Sequence, residues 1–171
     1  TRGEIEDAPD AVTRLPGVFS SRRVDWLSRQ MPQASEAARK LVIRAEASLS
    51  ANDPQDARTS LEEAARLAPG TPAIELQLAL VYERNGDPAK AFERYQRVIE
   101  LEPRNAVALN NLAYATAVAK KSPAEALPLA QKAVAASPND GTVLDTLAWV
   151  QHLLGDDASA AKTIYQAVRR A

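Results

Sequence analysis

His152 is the only histidine in this 171-residue chain, and the chain contains no cysteine. A lone imidazole with no second histidine and no thiolate cannot complete a zinc site. Acid–base chemistry also needs a nucleophile or an orienting partner within reach, and no such spacing surrounds His152. In the run VLDTLAWVQHLLG it reads as a groove or surface residue of a helix. Asp156-Asp157 follows Gly155 and reads as helix capping, because it lacks the alternating oxygen ligands of a calcium loop. Gly86 and Gly155 stand singly, not in a run that cradles phosphate. Glu62-Glu63 and Arg169-Arg170 read as solvated helix faces. The sequence therefore predicts no catalytic residues, no metal and no cofactor; the chain is expected not to be an enzyme. What remains is the surface it presents.

Composition narrows the partners of that surface. The net charge is −1, so no general attraction to nucleic acid or to an anionic membrane is expected. No apolar run approaches the ~20 residues needed to span a bilayer, so no direct membrane insertion is expected. The lack of cysteine removes disulfides but fits any compartment. The chain opens on Thr1 instead of Met, as expected of a processed or excised product, and a removed signal peptide would leave no trace.

The elements that carry the surface follow from a repeat. Pro69, Pro103 and Pro138 each close a unit, 34 and 35 residues apart. Within the unit Pro72–Asn105, two amphipathic runs flank the turn Asn85-Gly86-Asp87-Pro88. That period is the signature of stacked helix pairs. Counting from the first residue of each unit, position 8 is Ala45, Ala79, Ala113 and Ala148, and position 20 is Ala57, Ala91, Ala126 and Ala160. Position 27 is Ala64, Val98, Ala133 and Ala167. Small residues recur where two helices must approach closely, and larger apolar residues fill between them. Each pair is apolar on more than one face and needs its neighbours to bury it. In the third unit Lys120-Lys121-Ser122-Pro123, with one extra residue, replaces the usual Gly-Asp; Ser122 is expected to cap the next helix.

These residues resemble the tetratricopeptide repeat (TPR) family, whose pattern places Leu at 7, small residues at 8, 20 and 27, Tyr at 11, an aromatic at 24 and Pro at 32. The second unit matches best, with Leu78, Ala79, Tyr82, Ala91, Tyr95 and Pro103. The first is weakest: Arg44 stands for Leu and Ser48 for Tyr. Arg44 is expected to face a partner or the N-terminal segment, or its helix to be turned slightly. The resemblance implies an all-α, right-handed solenoid of about four helix-turn-helix repeats over 38–71, 72–105, 106–140 and 141–171, after an irregular N-terminal extension over 1–37. The runs NNLAYATAV and VLDTLAWVQHLLG are also similar to bacterial TPR proteins of exopolysaccharide export and linked protein-sorting systems, which tilts localisation toward the bacterial envelope or periplasm.

The family exposes helix A side chains on a concave groove that takes a protein or peptide partner. Carried onto this chain, the resemblance places the partner-binding surface at Asn110, Asn111, Tyr114, Asp145, Trp149 and His152, with Tyr114 and Trp149 at position 9 of adjacent repeats. Amides would bond a peptide backbone and aromatics take its side chains. The competing reading packs Trp149 and Tyr114 between repeats and leaves Asn111 holding a loop. A basic clamp for a C-terminal carboxylate, known in some TPR modules, is not expected: Val42, Glu46, Gln77, Val107 and Asn111 occupy its positions. Helix B surfaces are expected to be polar. A rival role is self-association into a homo-oligomer through the repeat ends, where Ile164 and Val168 have no following repeat; another is a recruiting arm of a larger enzyme or secretion machine. In the extension, Ser20 to Gln30 is expected to form a short helix, and Phe19, Trp26, Leu27 and Met31 to cover the first repeat.

Overall fold

The computed structural model describes residues 28, 29 and 31–170. The expectations on Phe19, Trp26, Leu27 and most of the Ser20–Gln30 helix lie outside the described residues; Ser28 and Arg29 are described and are helical. Met31 and Ala34 are buried, and the Arg39 guanidinium donates to the Ala34 carbonyl at 2.5 Å, tying this segment to the next helix.

Eight further helices lie among the described residues, with no strand. They are α1 (Glu36–Ser50), α2 (Pro54–Leu67), α3 (Pro72–Arg84), α4 (Pro88–Leu101), α5 (Ala106–Val118), α6 (Pro123–Ala136), α7 (Gly141–Leu153) and α8 (Asp157–Arg170). In number and order they fit about four helix-turn-helix repeats. Their starts are set by short polar residues whose side chains accept a backbone N–H of the first turn. Ser35 accepts from Ala38, Asp53 from Asp56, Asp87 from Lys90, Asn105 from Ala108, Asp140 from Thr142 and Asp156 from Ser159. Ser122 occupies the cap position of α6, but its side chain makes no capping bond, contrary to expectation. Pro at the first position of α2, α3, α4 and α6 fits there because that N–H has no intrahelical acceptor.

The turn inside each pair has one residue at positive φ: Asn52, Gly86, Lys121 and Gly155. In three of the turns the third residue after the helix end bonds five residues back: Asp53 to Ser48, Asp87 to Tyr82, Asp156 to Gln151. In the third pair Ser122 bonds six back, to Thr116, so the extra residue is absorbed in the loop. Lys121 (φ 51°) takes the left-handed place that glycine holds elsewhere, at a steric cost of roughly 1–2 kcal/mol for a residue with a Cβ. Its side chain is exposed. Lys121→Gly should therefore raise the unfolding free energy by about 0.5–1 kcal/mol, after the extra backbone entropy of glycine is subtracted. Urea titration of the two proteins measures this.

The chain divides into two compact units, 1–91 and 92–171. In the first unit α1 packs on α2 and α2 on α3. Ala45, Ala57, Leu61, Ala64, Leu78 and Ala79 are fully buried there, so the small positions are the places of close approach. Tyr82 donates to Glu62 at 2.8 Å and the Asn85 amide donates to the Pro54 carbonyl at 2.9 Å, tying α3 to α2. Arg44 finds its partner on the next helix. Its guanidinium bonds both Asp56 oxygens, at 2.6 and 3.3 Å, and Ser48 donates to the same carboxylate at 2.5 Å. A half-buried polar cluster between α1 and α2 thus replaces the Leu and Tyr of the pattern.

The Arg44 guanidinium holds Asp56 below its ordinary pKa, with Ser48 adding to the effect against partial burial. A carboxylate depressed in the folded state contributes stability that is complete above its unfolded value, about 3.9, and is lost as pH falls through the lower folded value. Acid titration of the melting temperature should therefore be steeper below about pH 4 in the parent than in Asp56→Asn, which lacks this proton uptake.

In the second unit α6 packs on α5, α7 on α6 and α5, and α8 on α7. Ala113, Ala117, Ala126 and Ala130 make a small-residue floor on which Leu147 and Val150 of α7 sit, with Leu127, Leu129 and Val134 around them. Leu109, Ala133 and Val143 form a second cluster with Ile99. The Lys120 ammonium lies 3.6 Å from the Phe92 ring centroid, covering its face.

Candidate interaction surface

The six residues assigned to the surface lie on α5 and α7, both in the second unit, but in different environments. Asn110 is 7% exposed; its amide N–H reaches Asn111 Oδ1 at 3.4 Å, and its own Oδ1 has no hydrogen-bond partner. Asn111 donates to the Tyr95 hydroxyl at 2.7 Å, so its amide links α5 to α4. Tyr114 is 53% and Trp149 46% exposed. Aromatic side chains of this size are normally recruited to bury area, and here half of each ring meets solvent.

Around Trp149 the residues converge. Its ring lies 5.8 Å from the His152 ring, tilted by 39°. His152 Nδ1 is 2.6 Å from Asp157 Oδ1 across the turn from α7 to α8. Asp157 therefore pairs with the imidazole, while Asp156 alone accepts the capping N–H. Asp145, Ala148, Trp149 and His152 of α7 and Asp157, Ala160, Ala161 and Ile164 of α8 line an open cleft of about 610 Å³. Its walls are mostly apolar, with two carboxylates and an imidazole at the rim. The cleft gathers Asp145, Trp149 and His152; Asn110, Asn111 and Tyr114 do not line it.

Sequence reasoning missed Asp157, Ala160 and Ala161 as cleft residues. In the repeat count they are positions 17, 20 and 21 of the last unit. α8 exposes Ile164 and Val168, the two apolar residues singled out there in the sequence, and Tyr165 as well. Among the described residues no group of His, Asp and Glu is placed to hold a metal ion, and no helix is long and apolar enough to cross a membrane.

Helix pairs with alanine at their contacts define a helical-repeat protein. A family model of the tetratricopeptide repeat matches residues 44–97 and 76–141, and the chain belongs to that family. It is 31% identical over 168 residues to the TPR repeat-containing protein PA4667 of Pseudomonas aeruginosa, covering 95% of this chain and 28% of that protein. The chain thus spans little more than a quarter of that relative. Among solved structures, MamA (residues 41 to the end) from Desulfovibrio magneticus RS-1 superposes with a TM-score of 0.72 at 22% identity, over 80% of this chain and 77% of that one. The pilF protein of Pseudomonas aeruginosa superposes with a TM-score of 0.68 at 23% identity, over 79% and 61%. These two likenesses are of fold.

Proposed function

We propose that the chain is a non-enzymatic scaffold whose helix A surface binds an extended segment or a helix of another protein. The observation that carries this reading is the pair Tyr114 and Trp149, equivalent in adjacent repeats and each about half exposed. Helix pairs elsewhere place their large aromatics inside, as with Tyr82 and Tyr95. Half-exposed rings beside amides and carboxylates have the composition of an interface hot spot. Asn110, Asn111, Asp145 and His152 complete the proposed surface. The Asn111–Tyr95 bond supports a positioning part for Asn111, and the burial of Asn110 a place beneath the surface instead of on it.

The same proposal divides the array at 38–71, 72–105, 106–140 and 141–171, one helix pair in each unit. It also includes a bacterial setting, which the Pseudomonas relative supports. An envelope role in exopolysaccharide export rests on the likeness of the two quoted runs alone.

The experiment is affinity capture from the source cell with parent protein and a Tyr114→Ala/Trp149→Ala double variant, followed by direct binding of the purified captured protein. The expected result is loss of one direct partner with helicity unchanged by circular dichroism. A partner that binds the double variant as well as the parent would overturn the assignment.

A further inference from the structure

The A helix of the third repeat exposes an ordered line of side chains. Val107 is 47%, Tyr114 53% and Val118 43% exposed, and the half-buried Asn111 stands between them. Their spacing is four, three and four residues, so the line repeats every seven. That is the spacing of the core positions of a coiled-coil seam, here with one amide in the line. α5 packs on both α6 and α7 and still leaves this line open, so the exposure follows from where these positions lie on the helix. Trp149 and Leu153 hold on α7 the places that Tyr114 and Val118 hold on α5, and they too are about half exposed. None of the six is charged, and α5 carries no charge anywhere from Ala106 to Val118.

Two properties select what lies on this line. The first is its supply of hydrogen-bonding groups. An extended segment brings an N–H and a C=O at every residue, and each one covered without a partner weakens binding. Against them the line offers the Tyr114 hydroxyl and Asn111, whose amide already donates to Tyr95 at 2.7 Å. Asn110 is buried beneath. A helix has already paired its own backbone groups and presents side chains at the matching period. The second property is charge. Short turns make α6 antiparallel to both α5 and α7, so α5 and α7 run parallel to each other. A third helix laid antiparallel to both opposes both dipoles favourably. Its first turn then meets the C-terminal end of α5, where Lys120 and Lys121 follow the seam and both are exposed. Carboxylates suit the first turn of a helix, and there they would face these cations. A parallel helix would bring its own basic end to the lysines.

Given the groove reading above, on which this rests, we propose that the occupant is an amphipathic helix of another protein. It lies antiparallel to α5, with an uncharged stripe on Val107, Tyr114, Val118, Trp149 and Leu153 and carboxylates in its first turn beside Lys120 and Lys121. Val107, Val118 and Leu153 thereby join the contact surface, and the extended segment drops out.

Two display libraries panned on the parent protein test it. One randomises a single face of a helix on a stable miniprotein; the other holds linear peptides with a fixed central proline, which cannot run as a helix. The helical library should give binders with uncharged residues at a seven-residue period and Asp or Glu in the first turn. Their dissociation constant should rise at least about tenfold on Tyr114→Arg, Val118→Glu or Leu153→Glu. Lys121→Glu should raise it by a smaller factor that shrinks with added salt. These positions are exposed, so helicity should not change; if one variant misfolds, Val107→Lys replaces it. Orientation is read by trapping, because the chain contains no cysteine. A binder with an activated disulfide at the start of its helix should trap Val118→Cys and spare Val107→Cys, about 16 Å away along α5. Trapping at Val107→Cys instead overturns the proposal. Binders from the proline library alone, or from neither, overturn it too; linear binders that still need Tyr114 would leave the groove reading standing. Helical binders indifferent to both Tyr114→Arg and Trp149→Ala overturn the groove reading with it. A parent that associates with itself in light scattering, and stops doing so in Tyr114→Arg, makes a second copy the occupant and overturns the assignment to another protein.

Discussion

Tyr95→Ala should lower the unfolding free energy by about 3–5 kcal/mol, the range for removing a buried aromatic ring. Tyr95 is the largest fully buried side chain among the described residues, 1% exposed, and sits at position 24 of the second repeat. Two costs add at this site. Deleting the ring leaves a cavity in a close-packed interior that relaxation fills only in part. Deleting the hydroxyl removes the acceptor of the 2.7 Å bond from Asn111, whose half-buried amide then loses its partner. Tyr95→Phe separates the terms: it keeps the ring and should cost about 1 kcal/mol. Urea denaturation followed by circular dichroism measures both. Since domains of this size are stable by only about 5–15 kcal/mol, the alanine variant should have a markedly lower midpoint and be partly unfolded at physiological temperature. A loss below about 1.5 kcal/mol would mean that the site relaxes, and that position 24 fills space without closing the repeat. The same series bears on function, because Asn111 is held by Tyr95: the Phe variant should disturb the partner surface before it disturbs the fold.

The positions that sequence reasoning placed correctly are those where sterics leave one answer. At positions 8, 20 and 27 two helix backbones approach closely, only a small side chain fits, and all twelve residues there are buried. The same holds for the turns, where a short polar cap and a left-handed residue recur at fixed spacing. Arg44 was less legible, because its partner is a side chain twelve residues on, and the pattern of one helix does not show what the next helix offers it. Lys121 was hidden by the extra residue, which moves the left-handed position one place beyond the count. The surface was the least legible part. Whether Asn110 is buried or Trp149 exposed depends on which neighbours cover a position, and position numbers carry no such information at the end of an array.

Trp149→Ala should cost about 2 kcal/mol or more of partner affinity, roughly thirtyfold in the dissociation constant, while lowering stability by less than about 1 kcal/mol. The two numbers come from opposite readings of one side chain. Were Trp149 a packing residue between repeats, its removal would cost the several kcal/mol typical of a buried aromatic. The ring is 46% exposed and touches His152 on its own helix, so much of its area is already in water and its loss leaves no closed cavity. An exposed aromatic contributes little to folding, but becomes an anchor when a partner removes the remaining half from solvent. Thermal melts and isothermal titration with the purified partner, on the same variant, read the two effects separately. Tyr114→Ala should behave alike with a smaller loss of affinity, since Tyr114 lies outside the cleft that surrounds Trp149. A Trp149→Ala protein that melts several degrees lower and binds normally would return this residue to the core. One that melts and binds as the parent does would move the partner surface off α7 altogether.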